Sequence, residues 1–110
     1  MAEMTETSNL RRSSAEIATG SASRYLQQLC KHFGHKVEAS FDDRVGSVRF
    51  SIGDCRLVAQ GEVLRISLDA PDPEALLELQ DVLERHLVRF AFRETLSIQW
   101  LSGQSQQDRQ

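Results

Sequence analysis

Several features are scarce in this sequence, and each scarcity removes a class of function. No run of apolar residues approaches the ~20 that span a bilayer, so no membrane segment is expected. Residues 1–9 carry no apolar stretch, and no secretory signal is read there. Cysteine is limited to Cys30 and Cys55, too few for a disulfide scaffold, and reduced thiols in a cytoplasmic protein are the expectation. Basic residues are not in excess: 13 Lys and Arg stand against 16 Asp and Glu, which argues against nucleic-acid binding through bulk charge. Aromatic residues make up 6%, and none forms a platform for stacked bases on the polar strand faces. The chain has no G-x-S-x-G, no P-loop and no G-x-G-x-x-G, and no Ser or Cys has a base at motif spacing. The sequence therefore leans away from an enzyme.

What is present suffices for one packed domain: 110 residues, 40% of them hydrophobic. Residues 1–12 lack apolar periodicity and read as a flexible arm, and the Gln/Ser-rich 102–110 reads as a disordered tail, leaving 13–101 as the domain. Small apolar and polar residues alternate over 14–19 as a short opening strand. Ala22, Tyr25, Leu26, Leu29, Cys30 and Phe33 then fall on one helical face, with Thr19 or Ser21 to cap its start and Gly34 to end it. Four runs with period two follow: Val37–Ala39–Phe41, Val48–Phe50–Ile52, Cys55–Leu57–Ala59 and Leu64–Ile66–Leu68. The short breaks between them, at Asp42–Asp43, Gly53–Asp54 and Gln60–Gly61, permit only antiparallel neighbours. Asp72 and Pro73 open a second helix expected to reach Glu94, with Leu76, Leu79, Leu83, Leu87 and Phe90 as its buried stripe. Leu96, Ile98 and Trp100 alternate as a closing strand. The expected fold is α+β: an antiparallel sheet of four to five or more strands with two amphipathic helices on one face, a two-layer sandwich.

Few side chains are candidates for chemistry. At about 100° per residue, Cys30 lies roughly 160° from His32 around the first helix, so the two do not share a metal. His32 and His35 can do so if the helix end bends, with His86 as a third ligand; the competing reading is polar histidines at a helix C-terminus. Both cysteines fall on buried faces, where a thiol is ordinary packing. On the second helix Val82, His86, Arg89 and Arg93 step along one flank, a seat for a carboxylate or phosphate. Arg85 has Asp81 one turn back, but Arg89 and Arg93 have no acidic neighbour on the helix. Either they pair with acids elsewhere, such as Asp42 or Asp43, or they hold an anion. Leu77, Val88 and Phe92 lie outside the buried stripe and read either as cover for the arm or closing strand, or as a homodimer or partner interface.

The run Ala22-Ser23-Arg24-Tyr25-Leu26, with Leu29-Cys30-Lys31-His32 and His35-Lys36, resembles the opening signature of the bacterial domain of unknown function (DUF) family 2218. His86-Leu87-Val88-Arg89-Phe90-Ala91-Phe92-Arg93-Glu94 and the closing Trp100 resemble its second signature. The resemblance implies a small bacterial domain, found alone or joined to a siderophore-interacting flavoprotein module, with no assigned reaction. The expectation is thus a non-enzymatic binding or interaction module, accessory to iron or siderophore metabolism, with a small anionic ligand or a protein partner. His86, Arg89, Arg93, Tyr25 and His32 are its candidate residues. No cofactor is predicted. The alternatives are a metal- or haem-binding protein using His32, His35 and His86, with iron, zinc or haem, and a purely structural dimerisation module.

Overall fold

Period-two alternation and short polar breaks produce the expected meander, and the helix between β1 and that meander sets where the meander starts. The computed structural model describes residues 11–102. Its elements are β1 (Arg11–Ala18), α1 (Ala22–Phe33), β2 (Glu38–Phe41), β3 (Val45–Phe50), β4 (Gly53–Gln60), β5 (Val63–Ala70), α2 (Pro73–Phe90) and β6 (Leu101–Ser102). The six strands form one sheet in the order β2-β3-β4-β5-β1-β6, and each neighbouring pair is antiparallel. From β1 the chain crosses the sheet as α1 and starts the meander at the far edge. Four hairpin-linked strands then return to β1, which pairs with β5 over its whole length. Both helices cover one face: α1 packs on β2, β3 and β4, and α2 on β5, β1 and β4. The fold is therefore α+β with the two layers expected.

The apolar periodicities meet in one core. All six α1 stripe residues are buried, as are Leu79, Leu83 and Leu87 of α2 and Val48, Cys55, Leu57, Leu64, Ile66 and Leu68 of the sheet. Gly46 lets α1 lie close to β3, since a Cβ there would sit 2.6 Å from the Cys30 Sγ. Asp72 caps α2 by accepting from the Ala75 N–H at 2.8 Å, with Pro73 at the first helical position.

Three boundaries differ from the sequence reading. β1 begins at Arg11, inside the segment read as an arm, because Arg11 and Arg12 continue the ladder opposite Ala70 and Asp69. Residues 1–10 of that arm and 103–110 of the tail lie outside the described residues. The second helix stops at Phe90, four residues before Glu94, and Ala91 leaves helical geometry at ψ 44°. The closing strand is reduced to Leu101–Ser102, which pairs with Ser14 and Ser13. Leu96, Ile98 and Trp100 do pack against the core, and Trp100 Nε1 donates to Glu84 of α2 at 3.1 Å. The backbone of residues 95–100 makes no ladder, and pairing with β1 begins only at Leu101.

Candidate functional site

The early stop of α2 builds a site that a longer helix would not. Beyond Phe90 the chain turns, with the Glu94 N–H donating to the Ala91 carbonyl, and Glu94 swings toward the start of α1. Its carboxylate accepts from the Tyr25 hydroxyl and from Thr19 Oγ1 at 3.1 Å, while Thr19 Oγ1 itself accepts from the Ser21 N–H. Tyr25 is buried on the core stripe of α1, and its polar end needs such a partner. One carboxylate thereby ties together the end of β1, the first turn of α1 and the turn after α2.

Tyr25 meets Glu94, and seven residues on His32 meets His86, with ring centroids 4.8 Å apart. The partners run in opposite order, so the helices are antiparallel. Between these two ends opens a cleft of about 460 Å³, lined by Arg24, Tyr25 and Gln28 of α1, Phe90, and Phe92, Arg93 and Glu94 of the turn. The Arg93 guanidinium lies 5.4 Å from the Phe92 ring centroid. Neither Arg24 nor Arg93 makes an ion pair among the described residues. Phe90 also touches His32, with centroids 5.7 Å apart, so the cleft and the histidine pair share a wall.

The histidine pair is set in aromatic surroundings: Phe33 lies 5.3 Å from His32 and 4.9 Å from His86, and Phe50 packs behind Phe33 at 5.0 Å. His86 Nδ1 is 2.7 Å from the Val82 carbonyl. A carbonyl only accepts, so Nδ1 carries the proton, and in the neutral ring Nε2 keeps its lone pair. His32 has its pKa lowered from 6.5, first by partial loss of hydration, then by the charges of His86, His35, Lys36 and Arg89. The unfolded chain thus binds the His32 proton more tightly than the fold does. The associated stability is fully present above pH 6.5 and is lost as pH falls through and below it. We expect the melting temperature to fall on acidification in this window, and His32→Gln to flatten that slope in thermal melts.

The residues singled out in the sequence separate into groups. Tyr25 and Arg93 line the cleft, His32 and His86 form the adjoining pair, and Arg89 has no ion pair among the described residues. The network with Asp42 or Asp43 is not formed. Asp42 accepts from the backbone N–H groups of Arg44 and Val45, which hold its carboxyl below its usual range, and Ser23 donates to the Asp43 carbonyl. Arg85 pairs with Asp81 at 2.8 Å as expected. The three-histidine metal set is not assembled, for among the described residues no three His, Cys, Asp or Glu side chains are grouped to hold an ion. Leu77, Val88 and Phe92 stay exposed at 64%, 52% and 76%. At 100° per residue Asp81 and Glu84 fall between Leu77 and Val88, and Phe92 stands beyond the helix at the cleft. Cys30 and Cys55 are free and buried, and burial raises both thiols, Cys30 to about 11, so neither is a nucleophile at neutral pH. Thr19, Arg24, Gln28 and Glu94 belong to the site and were missed. The one available signal was Tyr25, a tyrosine on a buried stripe whose hydroxyl required an acceptor.

The family model described as "Uncharacterized protein conserved in bacteria (DUF2218)" matches residues 14–101. Among solved structures, the NMR structure of PA4090 from Pseudomonas aeruginosa is similar, at 37% identity and a TM-score of 0.71. The match covers 83% of this chain and 95% of that one. No curated protein matches the chain. Among the described residues, no helix is long and apolar enough to cross a membrane.

Proposed function

The chain belongs to the DUF2218 family of bacterial proteins, and we propose that it is a non-enzymatic binding module holding a small organic anion in the cleft between α1 and the turn after α2. The observation that carries this reading is the pair Arg24 and Arg93, which open onto one cleft without an ion pair among the described residues. Guanidinium groups present donors in a fixed fork that suits a carboxylate. Phe90 and Phe92 supply apolar cover for the rest of the ligand, and Arg89 adds positive charge nearby. The link to iron or siderophore metabolism rests on the family resemblance, and a carboxylate-bearing chelator matches the charge of the cleft.

A metal- or haem-binding reading is favoured by one observation, the His32–His86 contact with its fixed His86 tautomer. Two donors are half of a closed structural set, and the surrounding charges are cationic, so the anion reading is the stronger. Citrate titration followed by backbone amide NMR tests it. We expect saturable shifts at Arg24, Tyr25, Gln28 and residues 90–94. No response at millimolar citrate, or shifts only elsewhere, would refute the assignment.

A further inference from the structure

The other face of the sheet carries polar side chains, and the strand register sorts them into rows that the linear sequence hides. Ser40 pairs with Ser47, Ser47 with Arg56, Arg56 with Ser67, and Ser67 with Ser14. Four hydroxyls and one guanidinium thus form a line across five strands, about 19 Å long at ~4.8 Å per strand. The core residues alternate with these positions, so the line faces away from the helices.

The rows on either side are charged: one carries Arg12 and Arg49 against Glu38, Asp54 and Asp69, the other Arg65 against Glu16. In one, Arg49 lies 3.9 Å from Asp54, and Arg12 lies 3.1 Å from Asp69. In the other, Arg65 meets Glu16 at 2.7 Å. Of the arginines in these three rows, only Arg56 has neither an ion pair nor a side-chain hydrogen bond among the described residues. Three shallow depressions, of about 360, 330 and 430 Å³, meet at Arg56 and hold the four serines between them.

We propose that this face is a second binding surface, where Arg56 and the flanking hydroxyls of Ser47 and Ser67 hold a phosphate-type oxyanion. The guanidinium fork satisfies two oxygens, as it would for a carboxylate. Hydroxyl donors on both flanks suit a group with further oxygens, which a phosphate has and a carboxylate lacks. Ser40 and Ser14 lie where the remainder of a phosphorylated small molecule would extend along the line. Arginines and carboxylates balance over the three rows, so the attraction is local to Arg56 and not a field of the whole face. The surface shares no residue with the helix cleft.

Amide NMR titrations with inorganic phosphate and with glycerol phosphate test the proposal. Saturable shifts at Ser47, Arg56 and Ser67 are expected, reaching Ser40 or Ser14 with glycerol phosphate if the ligand is a phosphorylated molecule and confined to the centre if it is the free ion. Arg56→Gln should weaken binding at least tenfold. Arg56→Lys, which keeps the charge without the fork, should fall between. Arg24→Gln with Arg93→Gln should leave these shifts unchanged. Absence of shifts along the line in the wild type, or equal affinity in Arg56→Gln, overturns the proposal.

Discussion

Replacing Gly53 by alanine is expected to lower the melting temperature by more than about 10 °C. Gly53 starts β4 with φ at 154°, against the end of β5 and the first turns of α2. A Cβ there would lie 2.4 Å from the Asp69 carbonyl oxygen, 2.7 Å from Leu79 Cδ1 and 3.2 Å from the Ala70 Cα. Leu79 belongs to the core, and Asp69 is held in the ladder opposite Asp54, so neither yields without disturbing sheet or helix. Overpacking and backbone strain of this kind cost about 3 kcal/mol together. Each kcal/mol moves the transition of a domain this size by roughly 4–8 °C. Gly20→Ala is the matched control. Nothing lies within 4 Å of a Cβ built there, and its melting temperature should be unchanged or slightly higher. An ordinary melt for Gly53→Ala would show that β4 enters the sheet differently.

Removing the Glu94 carboxylate has the next largest expected effect. Glu94→Ala leaves the hydroxyls of Tyr25 and Thr19 without their acceptor and releases the turn after α2, at a cost of about 1–2 kcal/mol. Tyr25→Phe removes the same bond from the other side. In a double-mutant cycle the pair should therefore couple, with Tyr25→Phe costing little once Glu94 is gone. Tyr25 is the single tyrosine, so its ionisation is read directly by ultraviolet absorbance. The hydrogen bond to Glu94, then burial and the Glu94 charge, raise its pKa above 10.0, against smaller opposing effects from Ser21 and Arg24. The fold holds the neutral phenol, so this stability is present below pH 10.0 and is lost as pH rises through the raised value. The absorbance midpoint should move back toward 10.0 in Glu94→Ala. Identical midpoints with and without Glu94 would mean that the contact does not form in solution.

That contact also marks where the sequence stopped being informative. Helix stripes and strand alternation are local signals, and they located both helices, β1 to β5 and nearly every core residue. The end of α2 is not local: Phe92, Arg93 and Glu94 extend a helical pattern without Gly or Pro, and what turns the chain is a bond to Tyr25 and Thr19, some seventy residues away. Treated as one more turn of helix, Glu94 pointed away from the site and Arg93 lined up with Arg89. Leu96, Ile98 and Trp100 show a strand's alternation because one side of the chain meets the core, yet their backbone makes no ladder. The line of serines around Arg56 needs the hairpin registers, and Ser14 joins it only once β1 is placed beside β5, after the crossing of α1. The meeting of His32 with His86 likewise depended on helix direction, which no periodicity encodes.

The assignment of the cleft stands or falls on Arg24 and Arg93. Calorimetric titration of citrate into the wild type and into the Arg24→Gln/Arg93→Gln variant measures their contribution directly. Loss of two charge-assisted contacts should weaken binding at least tenfold, about 1.4 kcal/mol or more, with the melting temperature of the free protein unchanged. Equal affinity in the two proteins would contradict the account and place any anion site elsewhere on the domain.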